Sequence, residues 1–272
     1  MNRKIFVFGD LSQAESRIVA WRGPVPRLKK IFKDKKDVHL EVAKTIAKVV
    51  QDNKVKLPGN LFMKKAWNEL TKEDKNERQL GKTTGHANNY GLGKDTFALR
   101  TGLPVQFAAL IQAIYHSQFP EIRGGYQAWI RQQIDSSRCV TTALGRPKIF
   151  YDLVNDQMYR AAYAYYPQST VGDIITDAIV NVSEHFSSVG FDEGIVWTPS
   201  RLRSCGLNFK INAHDALGVV VPDDKESVDY AVKTMRQYSE VKLNILGDDL
   251  VIPMDFKVGY SWGDLHDYEG SY

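Results

Sequence analysis

Apolar residues along this chain follow two different periods, and the changes between them divide it into three parts. Ile5-Phe6-Val7-Phe8 is a short continuous apolar run, which predicts a buried strand ending at Gly9-Asp10. Ser12-Gln13-Ala14-Glu15 has the spacing of a capping box, so a helix is expected from there toward Trp21, stopped by Pro24 and Pro26. Val38, Val42, Ile46 and Val49 recur at helical spacing, with lysines on the outer face. Further helices are predicted from about Lys72 to Asn89, around Leu110, Ile111, Ile114 and Tyr115, and over roughly residues 121–138. Phe119-Pro120 separates the last two. Thr141 to Pro147 reads as a strand entering a turn, and residues 156–166 and 170–188 as two helices. The second of these carries Ile174, Ala178, Val182 and Phe186 on one face.

The final third is mostly β. Asn208–Ala213 and Leu217–Val221 read as strands whose connection contains His214-Asp215. A helix is expected from about Lys225 to Tyr238, then a strand from Leu250 to Phe256. The layout is therefore α+β, with β structure at both ends and a helical insertion between.

Composition narrows the class. No apolar run approaches the roughly 20 residues a membrane span needs, and the N-terminus lacks the pattern of a signal peptide. Cys139 and Cys205 are too few for a disulfide framework or a four-cysteine zinc site, so a reducing, cytoplasmic setting is expected. The net charge is only +4, but Arg22 to Lys82 holds 17 Lys and Arg against 8 Asp and Glu. That segment is either a face turned toward phosphates or a set of solvated lysines on exposed helices.

Two aspartates sit where strands end, Asp10 and Asp215. Taken singly, each is better read as a turn residue. Together, in a chain with a basic segment, they are candidates for a pair of metal ligands in phosphoryl transfer. Arg78, Lys82, His86 and Tyr90 are spaced by four, which on a helix advances about 18 Å while rotating about 120°. Two cations followed by two rings suit a nucleoside triphosphate, with phosphates at one end and sugar and base at the other; taken alone, the stripe is better read as a solvated face with Tyr90 in the core. Gly81, Thr83, Thr84 and Gly85 weaken this helix, and such local violations are expected to mark function.

Asp10-Leu11-Ser12-Gln13-Ala14-Glu15-Ser16-Arg17 resembles motif A of the DNA polymerase I family, the family A DNA polymerases. The run from Arg78 through Lys82 and His86 to Tyr90-Gly91 resembles motif B, and His214-Asp215 resembles motif C. Lesser matches fall in order at Asp37-Val38-His39, Gly145-Arg146, Arg160, Gln168-Ser169-Thr170 and Trp262.

The resemblance implies an antiparallel palm sheet, residues 1–30 and 158–272, with a helical fingers insertion over 31–157. It implies a DNA-directed DNA polymerase acting on primer-template DNA and dNTPs with two Mg²⁺ ions. Asp10 and Asp215 would hold the metals, with the Leu11 carbonyl as a further ligand. Arg78, Lys82 and His39 would meet the triphosphate, Lys82 also serving as proton donor to pyrophosphate, and His86 would pack on the sugar. Glu15 would exclude a ribose 2′-hydroxyl with Tyr90 behind it; the capping-box reading of Glu15 stands beside this one. Gln13 and Arg17 would support the active site. Arg160 and Gln168 would touch primer and template, and His214 the primer terminus.

The sequence departs from the family pattern at His86, where Phe or Tyr is usual, at Ala87 in place of Gly, and at Ala216 in place of a common glutamate. Motif A also begins almost at Met1, with nothing resembling a thumb or exonuclease domain. The expectation is one half of a split polymerase of viral origin completed by a separate N-terminal polypeptide, or else a truncated product. A non-catalytic DNA-binding subunit and a single-subunit RNA polymerase are the competing classes; Glu15 weighs against the second.

Overall fold

The computed structural model describes residues 3–188, 215–268 and 270. The strand expected over Asn208–Ala213 and the residue His214 lie outside that range. The chain forms two compact units, residues 1–14 with 168–272, and residues 15–167.

The first unit is built on an antiparallel sheet of order β4-β1-β7-β8. Strand β1 (Lys4–Leu11) lies at its centre, beside β4 (Ala216–Pro222) and β7 (Met254–Gly259), and β8 (His266–Asp267) closes one edge. Alternation along β1 buries Ile5, Val7, Gly9 and Leu11 and leaves Phe6, Phe8 and Asp10 on the other face. Helix α9 (Lys225–Ser239) packs on the sheet, burying Val228, Ala231, Val232 and Met235. Its start is capped by Asp224, whose carboxylate accepts from the Ser227 amide at 2.8 Å. On the opposite face Trp262 covers Phe8 edge-on, ring centroids 4.9 Å apart. The strand expected from Leu250 to Phe256 is divided. β6 (Asp248–Val251) pairs with β5 (Lys242–Ile245) in a separate hairpin, and β7 starts only after Pro253, which has no N–H for a ladder.

The second unit is helical. α1 (Ala14–Arg22) begins after Gln13, whose φ of 53° is left-handed. α2 (Pro26–Lys33) was not expected: Pro26 sits at its first turn, where a missing N–H costs nothing, rather than only ending α1. α3 (Val38–Asp52) and α4 (Lys75–Asn89) form the central pair. A Cβ on Gly81 would lie 2.1 Å from the His39 carbonyl oxygen, so α4 can approach α3 this closely only with glycine there. α5 (Lys94–Thr101) and α6 (Val105–Gln118) follow, then a π-helical turn at Ile122–Gln127 leading into α7 (Ala128–Ser137). β2 (Cys139–Thr141) and β3 (Pro147–Ile149) make a small hairpin. Ile111, Tyr115, Phe119, Ile122, Tyr126, Ile130 and Ile134 fill the core.

α8 (Asp156–Ser188) is one helix of 33 residues where two were expected. Pro167 removes one helical hydrogen bond, a cost of about 3 kcal/mol. Buried neighbours on either side, Tyr163, Tyr166 and Val171, offset it.

Two residues past the ends of α2 and α3 stands a lysine in the left-handed conformation, Lys35 at φ 54° and Lys54 at φ 53°. Bonds such as Lys54 N–H to the Gln51 carbonyl at 3.0 Å and Val55 N–H to Val50 at 2.9 Å complete the turn that glycine usually makes. A β-branched residue fits this conformation worse than lysine, so Lys54→Val should lower the unfolding free energy by about 1–2 kcal/mol. Lys54→Gly should stay within about 1 kcal/mol of the parent. Urea denaturation of the three proteins checks the order; a valine variant as stable as the parent contradicts it.

Candidate functional site

The α4 stripe is held at both ends. At its start, the Arg78 guanidinium donates from Nε and Nη2 to one oxygen of Asp37, at 2.9 and 2.7 Å. At its end, Gln127 donates to the last carbonyls, those of Asn88 and Asn89; just beyond the helix Gln112 donates to the Leu92 carbonyl, and Tyr115 donates to the Asn89 side chain. These bonds fix Tyr90, the residue that closes the helix.

Between those anchors the side chains form a continuous cluster. The His39 and His86 rings lie 5.7 Å apart and the His86 and Tyr90 rings 6.2 Å apart. The Tyr90 hydroxyl donates to the Glu15 carboxylate, which also lies 3.7 Å from His86 Nδ1. Burial first, and the Glu15 charge second, hold the Tyr90 hydroxyl well above its usual pKa, so it remains a donor. Lys82 is exposed on the stripe and makes no ion pair among the described residues.

In the sheet unit, register brings carboxylates together. Asp215 immediately precedes β4, and its carbonyl accepts from the Leu11 amide at 2.8 Å. Asp10 stands opposite Ala216 on β4 and opposite Asp255 on β7. Directly opposed residues of an antiparallel pair share a face, and like charges there weaken the sheet unless something compensates. Asp255 was missed from the sequence, because only the β1–β7 register reveals it. Among the described residues no three Asp, Glu, His or Cys side chains converge closely enough to form a metal cage. Mg²⁺ commonly takes one or two carboxylates together with water and substrate phosphates. The hard oxygens of Asp10 and Asp215 therefore fit that ion by type and number.

Arg17 is 9% exposed, with its guanidinium 4.5 Å from the Phe32 ring centre, a position suited to support rather than to reaching a groove. Gln13 is half-buried and Gln168 exposed. Arg160 lines a cavity of about 520 Å³ with Lys94, Arg123, Arg131 and His116. Arg123 and Arg131 were overlooked, although their eight-residue spacing in a predicted helix was a usable signal. Burial, and then Arg123, lower the His116 pKa to about 4, leaving the ring neutral beside these cations.

The model of DNA polymerase family A matches residues 1–264. This chain belongs to that family. The family A relatives include DNA polymerase I of Chloroflexus aurantiacus, 26% identical over 96% of this chain and 24% of its own length. The thermostable DNA polymerase I of Thermus filiformis is 23% identical over 95% of this chain and 27% of its own length. The chain thus spans about a quarter of the curated relatives it matches. The fold is similar to the POL domain of Pol1 from M. smegmatis, solved in complex with DNA primer-template and dNTP. The TM-score is 0.72, with 20% identity, over 96% of this chain and 40% of that one.

His39 gives this helical cluster a pH signature. It is 7% exposed, and burial, followed by the charge of His86, lowers its pKa from 6.5 to about 3. Below pH 6.5 the unfolded chain therefore binds a proton that the folded chain refuses. Stability is lost as pH falls from 6.5 toward 3, and no such loss occurs above 6.5. At pH 5 the loss amounts to about 2 kcal/mol. The unfolding free energy of the parent minus that of His39→Gln should fall by about this much between pH 8 and pH 5. An equal difference at both pH values contradicts the assignment.

Proposed function

We propose that this chain carries the palm and fingers of a DNA-directed DNA polymerase, adding dNMP from a dNTP to a primer 3′-hydroxyl. The α4 stripe carries the reading. Arg78, Lys82, His86 and Tyr90 run in order along one face, and Tyr90 is bonded to Glu15 at the end where a sugar belongs. A cationic start and an aromatic, carboxylate-bearing end match a deoxynucleoside triphosphate laid along the helix.

Each residue then has a task. Arg78 and Lys82 neutralise phosphate charge, and Lys82, exposed and without an ion-pair partner among the described residues, delivers a proton to the leaving pyrophosphate. His39 is neutral at working pH and contributes an N–H donor or acceptor rather than a charge. Glu15, fixed by Tyr90, occupies the space a 2′-hydroxyl would need. Asp10 and Asp215 would hold the two Mg²⁺ ions, with the Leu11 carbonyl as a further ligand. The chemistry such ions would supply there is a lowered pKa of the attacking hydroxyl and neutralisation of the developing phosphate charge. The cavity around Arg160, Arg123 and Arg131 suits the backbone of single-stranded template.

Grip on duplex DNA requires many backbone contacts, and we propose that a thumb-bearing polypeptide supplies them. An RNA polymerase is the second reading, and Glu15 argues against it.

Primer extension with Mg²⁺ and dNTPs, by the chain alone and with a thumb-bearing partner, tests the proposal. Extension should be weak alone and stronger with the partner, and Asp10→Asn or Asp215→Asn should reduce it to background while DNA binding persists. Extension that survives both substitutions removes the metal assignment.

A further inference from the structure

Asp37 is the residue whose geometry exceeds any role given to it so far. It is the N-cap of α3, and one carboxylate oxygen accepts from the Leu40 amide at 3.0 Å. The other oxygen accepts both bonds from Arg78, 41 residues away on α4. The Asp37 side chain is 7% exposed and that of Arg78 32%. Burial opposes ionisation of this carboxyl, but the Leu40 amide and Arg78 outweigh it and keep its pKa below the usual value. A carboxylate anchored to a helix start is a rigid fixture, unlike a surface partner on a flexible stem.

The bonding pattern leaves Arg78 half committed. A guanidinium has five N–H donors. Asp37 takes the Nε donor and one Nη2 donor, and three remain: both on Nη1 and the second on Nη2. A free arginine must lose its rotamer freedom when it binds phosphate; an arginine already fixed along one edge has lost most of it beforehand. We infer that Asp37 is a positioning residue, which holds Arg78 by one edge so that its remaining donors are preset for the triphosphate. This rests on the reading of the α4 stripe as the nucleotide site. The rival is competition, in which Asp37 occupies donors that the phosphates need.

Steady-state single-nucleotide insertion separates these cases, using the chain with whatever partner supports full extension. Asp37→Asn keeps a cap and the side-chain shape but loses the charge; Asp37→Ser keeps a cap but cannot reach Arg78. Both should raise the KM for dNTP about five- to tenfold while kcat stays within about twofold. Thermal melting should show both variants folded. In a double-mutant cycle, Asp37→Asn should add nothing to the KM of Arg78→Ala. An unchanged or lowered KM in both Asp37 variants, with KM raised by Arg78→Ala, overturns the positioning role and leaves the nucleotide site standing. An unchanged KM in Arg78→Ala overturns the site reading itself, and this inference with it.

Discussion

The contact of α3 with α4 at Gly81 sets the arrangement of the helical site. With no Cβ at Gly81, the two backbones approach at the level of the His39 carbonyl. That approach brings Asp37 within bonding distance of Arg78 and stacks the His39 ring near His86. An alanine there would push α3 away and loosen both contacts at once. The sequence alone suggested that the glycines and threonines of this helix mark chemistry. For Gly81 the cause is packing, and the chemistry follows from it.

The other end of the stripe depends on satisfied polarity. The carbonyls that α4 leaves open at its C-terminus would each cost about 1–3 kcal/mol if buried without partners. Gln127 donates to two of them, on Asn88 and Asn89, while Gln112 holds the Leu92 carbonyl just beyond and Tyr115 the Asn89 side chain. Tyr90 is thereby fixed, and its bond to Glu15 turns a charged side chain near the start of α1 into a defined wall. In the sheet unit the corresponding constraint is register. β1 between β4 and β7 places Asp10 in one row with Ala216 and Asp255, with Asp215 tied to Leu11 through the backbone.

What could be read from the sequence was what local pattern encodes. β1, α3, α4 and the strand at Leu217–Val221 follow from local pattern, and Asp10, His39, Arg78, Lys82 and His86 lie on them, with Asp215 just before β4. α2 was hidden because Pro26 was taken as a stop, when proline fits a first helical turn equally well. The unbroken α8 was hidden because buried contacts around Pro167 override its local cost. The strand at Leu250–Phe256 was divided by Pro253, and its first part went to another sheet. Asp255 and the Asp37–Arg78 pair depend on contacts between distant residues, which no spacing rule reveals.

The proposed function depends on Glu15 and Tyr90 forming the sugar end of a deoxynucleotide site. The most direct test is the ratio of kcat/KM for a dNTP to that for the matching rNTP, measured in the parent and in Glu15→Ala. The parent should strongly favour the deoxynucleotide, and the substitution should collapse that preference mainly through better ribonucleotide incorporation. A ratio that Glu15→Ala leaves unchanged contradicts the account.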